Sequence, residues 1–60
     1  MNSTELISKL EDEGWFQVRC KGSHHQFKHK SNPLLITVKH PQKDIPIGTL
    51  KDILKKAGLK

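Results

Sequence analysis

Between Trp15 and Lys39 the helical spacing gives way to alternation, clearest at Phe16, Val18 and Cys20 and again at Leu34, Ile36 and Val38, with two short polar turns between. A period of two over that length forces the middle of the chain into strands and leaves each strand with one polar side. In the first strand, Phe16, Val18 and Cys20 point one way, while Gln17, Arg19 and Lys21 point the other; Trp15 shares the polar phase. Gly22-Ser23 makes a turn into a second strand, His24 to Lys30, whose only strongly apolar residue is Phe27. Phe27 therefore sets the phase: His25 and His29 accompany it inward, and His24, Gln26, Lys28 and Lys30 face outward. After a turn at Ser31-Asn32-Pro33, a third strand runs from Leu34 to about Lys39, with Leu34, Ile36 and Val38 opposite Leu35, Thr37 and Lys39. Connections this short make the three strands an antiparallel meander.

On either side of the strands the period becomes helical. Leu6, Ile7 and Leu10 form one apolar stripe, with Asn2 or Ser3 as the cap, Glu5 reaching back to it, and Gly14 ending the helix in a left-handed turn. Glu11, Asp12 and Glu13 crowd its last turn, where the helix dipole disfavours them. Leu50, Ile53, Leu54 and Ala57 form a second stripe, capped by Thr49 with Asp52 three residues on, and closed by Gly58. The order is α-β-β-β-α, an α+β class. Two amphipathic helices and a sheet with one apolar face pack economically if both helices cover that face, leaving the other in water. Sixty residues provide a single domain, 1–60, because a chain of this size buries only about 60% of its unfolded surface.

The longest apolar run is Leu34-Leu35-Ile36, far short of the roughly 20 residues that cross a bilayer, so no membrane association is expected. Cys20 is the only cysteine and the start of the chain carries no secretory pattern, which fits a reducing cytoplasm. The net charge of +5 is unevenly spread. Residues 1–18 hold one lysine against four carboxylates, and residues 19–60 hold ten Lys or Arg against two. A basic field of that kind attracts polyanions, nucleic acid foremost, although lysine also serves plain solubility.

The expected outward face collects Arg19, Lys21, Lys28, Lys30 and Lys39 around one imidazole, His24. That combination suits RNA scission without a metal. Surrounding ammonium groups favour the neutral imidazole, which takes the 2′-hydroxyl proton, and the same cations hold the phosphate. His24 is thus the candidate general base, against the alternative that it is a polar surface residue at a strand end. A shift of one residue beside the Gly-Ser turn would put His25 in that place. His25 and His29 otherwise read as hydrogen-bonded residues under the helices. His40 follows the last strand, free to turn to either side, with a helper role in acid catalysis or phosphate contact as its functional reading.

No metal or other cofactor is expected. His25 and His29 are four apart on a strand, about 13 Å, and no second ligand pair appears. Cys20, on the apolar side, is not expected to be a nucleophile. Trp15, on the polar phase, is the one aromatic placed to stack on a base. The start of the second helix, Pro46-Ile47-Gly48-Thr49 near Lys43 and Lys51, is a modest anion-site candidate.

Three stretches together carry a family likeness: Gly22-Ser23-His24-His25-Gln26-Phe27, Ile36-Thr37-Val38-Lys39-His40-Pro41, and Ile45-Pro46-Ile47-Gly48-Thr49-Leu50 running on to Ala57-Gly58-Leu59. Over nearly its whole length the chain resembles the HicA family of bacterial toxins. The resemblance implies a double-stranded-RNA-binding-domain-like α-β-β-β-α fold, mRNA cleavage by an endoribonuclease of a toxin-antitoxin system, and a HicB antitoxin as partner. It also implies one essential histidine directly after Gly-Ser or one residue later, His24 or His25. Lys39 stands where relatives often carry proline, which adds a cation beside the substrate.

The leading expectation is a metal-independent endoribonuclease with His24 as base and Lys21, Lys28, Lys39 and Arg19 on the RNA backbone, leaving a 2′,3′-cyclic phosphate and a 5′-hydroxyl. A non-catalytic RNA-binding module is the alternative, since the same fold reads A-form duplexes by shape and needs no histidine. A third use of the basic sheet is as the surface an acidic antitoxin covers.

Overall fold

The structure is a computed structural model that describes residues 1–59. Its elements follow the expected order: helix α1 (Ser3–Asp12), strands β1 (Trp15–Lys21), β2 (His24–His29) and β3 (Asn32–Lys39), and helix α2 (Ile47–Lys56). The strands form one antiparallel sheet in the order β1-β2-β3. Leu6 and Leu10 of α1 and Ile53 of α2 join Phe27, Ile36 and Val38 in one buried cluster, so both helices lie on the Phe27 side. No helix among the described residues is long and apolar enough to cross a membrane.

Asn2 is the cap of α1: its Oδ1 accepts from the Glu5 backbone N–H at 2.8 Å, and its Nδ2 donates to Glu5 Oε1 at the same distance. Ser3 is thereby released from capping and sits buried inside the fold. Gly14 ends the helix at φ 95°, and a Cβ there would stand 2.9 Å from Nε2 of His29. Only glycine meets both demands.

β1 departs from simple alternation. Gln17 lies opposite Phe27 and Arg19 opposite Gln26, so Val18 is an extra residue, a β-bulge. Before the bulge, Trp15 and Gln17 carry the inward phase; after it, Cys20 does. The expectation for Trp15 and Phe16 is therefore reversed: Trp15 is 3% exposed, in the core, and Phe16 is 50% exposed on the open side. Trp15 is not a free stacking platform. Arg19 and Lys21 face outward as expected, because the extra residue restores their phase.

The second connection also differs. His29 pairs with Asn32 while Phe27 pairs with Ile36, so the tight turn is Lys30-Ser31 and Pro33 to Leu35 bow out opposite Lys28. Asn32 holds this shape by accepting from the Leu34 N–H at 2.9 Å. Proline is tolerated because β3 is an edge strand. Lys30 consequently leaves the sheet and Leu34 is exposed instead of buried. At the far end, α2 begins with Pro46 as its cap, and Leu50 N–H bonds the Pro46 carbonyl at 2.9 Å. Thr49 stands inside the first turn, not at the cap.

The loop between β3 and α2 is sewn to the chain's beginning. Ser3 N–H donates to the Gln42 carbonyl at 2.8 Å, and Ile45 N–H donates to the Met1 carbonyl at 3.0 Å. Ile45 completes the core there.

Candidate active site

Cross-strand registration builds the open face in rows. Lys21, His24 and Lys39 are direct neighbours across the three strands, and Arg19, Gln26 and Thr37 form the next row. Directly opposite side chains on one face stand about 4.5–5.5 Å apart at Cβ. His24 is exposed between its two lysines, which is the expected phase. Lys28 is exposed in line with Phe16 one step further along. Four of the expected phosphate-binding residues, Arg19, Lys21, Lys28 and Lys39, thus share the face with His24; Lys30 does not.

His25 lies on the opposite side of β2, toward the helices, yet the helices do not close over it. Gln17 and Cys20 share its side of the sheet and are both exposed, so that end of the helix-facing surface is open to water. Cys20 was expected in an apolar setting and is instead a free, exposed thiol. The half-buried His25 ring is held in this polar corner from two directions. Its Nδ1 is 3.2 Å from Gln17 Oε1, and its Nε2 is 3.6 Å from Cys20 Sγ, which also reaches the Gly22 carbonyl at 3.4 Å. The amide oxygen only accepts, so on this assignment the neutral ring carries its proton on Nδ1. Nε2 then carries the lone pair, facing Cys20 Sγ.

A second imidazole meets the first. The rings of His25 and His40 stand edge to face with centroids 5.1 Å apart. His40 turns to the helix side because three groups fix it there: its N–H donates to the Ser23 carbonyl at 2.7 Å, its Nδ1 is 2.7 Å from Ser3 Oγ, and that hydroxyl oxygen accepts from the Gln42 N–H at 2.8 Å. Sequence reasoning left the side open, since the deciding partner lies 37 positions away.

His29 is excluded from this group. Its Nε2 donates to the Glu13 carbonyl at 2.9 Å and its Nδ1 accepts from Ser31 N–H at 2.9 Å, so both nitrogens are spent on structure, as expected of an inward histidine. The acidic residues Glu11, Asp12 and Glu13 lie exposed at the end of α1. At the start of α2, Ile47 and Gly48 are exposed and Pro46 offers no side-chain cap.

The arrangement combines a row of cations flanking one exposed imidazole with two half-buried imidazoles at the same end of the sheet, around the Gly22-Ser23 turn. Such a set can bind a phosphodiester and move protons beside it. Comparison with known proteins is specific. The family model described as the HicA toxin of bacterial toxin-antitoxin systems matches residues 3–59. A solved structure, "HicA3 and HicB3 toxin-antitoxin complex", is similar at 39% identity and a TM-score of 0.88, covering 100% of this chain and 97% of that one. A search of the curated proteins finds no match.

Proposed function

The chain belongs to the HicA family of bacterial toxin-antitoxin toxins, and from that premise we propose that it acts as an endoribonuclease on mRNA, with the histidine pair after Gly22-Ser23 at the centre of its chemistry. The RNA backbone approaches along the open-face cations Arg19, Lys21, Lys28 and Lys39, and its scissile phosphate passes round the Gly22-Ser23 end of the sheet, where His25 and His40 stand on the other side. An imidazole removes the 2′-hydroxyl proton, the 2′-oxygen attacks phosphorus, and the products are a 2′,3′-cyclic phosphate and a 5′-hydroxyl. The imidazole supplies the base and the ammonium groups supply the countercharge, so the reaction as drawn calls on no metal.

Strand phase favours His24 as base, because it projects from the open face between Lys21 and Lys39. Local order favours His25, and this is the observation that carries the reading: its ring is held between Gln17 Oε1 and Cys20 Sγ, and a second imidazole adjoins it. A base works best when its geometry is set before substrate arrives. We assign His25 as the base and His24 to the phosphate-binding row.

Incubation of RNA with the purified chain in EDTA tests the proposal. Cleavage lost in His25→Ala and retained in His24→Ala supports the assignment; the reverse pattern returns the role to His24. RNA that is bound but left intact would make the protein a binding module only.

A HicB-type antitoxin is the proposed partner, supported by the toxin-antitoxin complex of the similar HicA3. The surface proposed for it is the open sheet, where cations and the exposed Phe16 offer an acidic partner both charge and apolar area. A complex that cleaved RNA at the free toxin's rate would refute this.

A further inference from the structure

We infer that His40 is the proton donor to the leaving group, and that buried Ser3 is the residue that positions it. This rests on the nuclease reading above and adds to it the half of the reaction that a single base leaves unassigned. Attack of the 2′-oxygen forms the O2′–P bond and breaks the P–O5′ bond. The expelled 5′-oxygen is an alkoxide unless a proton reaches it as the bond breaks. The 2′-hydroxyl proton goes to His25 Nε2, and a second, already protonated group must supply the other.

His40 fits that need on three observations. Its ring is the one that adjoins His25, at 5.1 Å, whereas His24 projects from the other side of β2. With Nδ1 committed to Ser3 Oγ at 2.7 Å, Nε2 is its remaining nitrogen for a substrate. Its support is unusually firm, because Ser3 is 1% exposed and is itself held twice by Gln42, once through its own N–H and once through its hydroxyl oxygen.

A hydroxyl is also the right contact for a ring that changes charge. It accepts from Nδ1–H when His40 is an imidazolium, and it can turn its own proton toward Nδ1 when the ring is neutral. The orientation of Nε2 therefore persists through the proton cycle. His40 then carries a proton from Nε2 to O5′ without giving up its anchor.

The test compares ordinary RNA with RNA whose scissile 5′-bridging oxygen is replaced by sulfur, since a thiolate departs without protonation. His40→Asn preserves an amide able to bond Ser3 Oγ but cannot donate as an imidazolium does. It should lose on the order of 10²-fold in cleavage of ordinary RNA and little on the sulfur-bridged RNA, and its pH–rate profile should lack the alkaline fall. Ser3→Ala should show the same selective loss in weaker form, while His25→Ala should fail on both substrates. Far-UV circular dichroism establishes that each variant is folded. Equal losses on the two RNAs, or a His40→Asn rate equal to the parent's, would overturn the inference and leave the nuclease reading standing. A parent chain that cuts neither RNA would overturn both.

Discussion

Trp15 and His29 face each other across β1 and β2, their ring centroids 5.2 Å apart and tilted by 58°. Trp15 is thereby committed to the helix side, and its neighbour Phe16 to the open side. Trp15→Ala should cost about 3–5 kcal/mol, enough to unfold a domain this small. Phe16→Ser should stay within about 0.5 kcal/mol. Urea unfolding of the two variants checks the pair, and a Phe16 variant as damaged as the Trp15 one would contradict the strand phase.

His29 also limits its other neighbour. Gly14→Ala adds a Cβ 2.9 Å from Nε2 of His29 at a backbone φ of 95°, and it disturbs the bond from that nitrogen to the Glu13 carbonyl. A loss of about 1–3 kcal/mol is expected. On a domain of this size each kcal/mol lowers the thermal midpoint by about 4–8 °C, which a melting curve reads directly.

Removing the proposed base should be costly to rate and cheap to stability. His25→Ala should lower RNA cleavage about 10²- to 10⁴-fold at substrate saturation. His24→Ala should weaken RNA binding more than the saturated rate. Separate measurement of kcat and KM for the two variants distinguishes a base from a phosphate contact.

The cation row should show itself through salt. Changing Lys21 and Lys39 both to glutamine would remove the two proposed phosphate contacts that flank His24. The slope of log K against log salt should become shallower by about 1.4, at about 0.7 per phosphate on single strands. Filter binding or fluorescence titration over a range of salt measures it. An unchanged slope would place the RNA elsewhere.

The element order was legible because the periodicity switches sharply beyond Gly14, and Phe27, alone in its strand, set the phase of His24 and His25 up to the one-residue shift that the Gly-Ser turn left open. The reversal of Trp15 and Phe16 was not. Phe16, Val18 and Cys20 make a convincing alternating series, and nothing in the letters marks Val18 as the residue without a partner; that is settled by the register against β2. Likewise Asn32-Pro33 has the composition of a turn, yet Asn32 uses its side chain on Leu34 N–H and enters the strand. The polar corner was half visible. The Gly-Ser-His-His segment drew attention to His25, but the place of His40 depends on Ser3 at the opposite end of the sequence, and the exposure of Cys20 depends on how far the helices reach across the sheet.

The unpaired valine in β1 allows one short strand to serve two masters in succession. Ahead of it the strand feeds the hydrophobic interior through Trp15; beyond it the same strand sends guanidinium and ammonium groups to the water side and sets a thiol beside His25. Were Val18 instead paired in regular alternation, the two sides would be exchanged for everything downstream in the strand, driving Arg19 and Lys21 toward the helices and Cys20 away from the imidazole, with no change in amino-acid chemistry at any of the three.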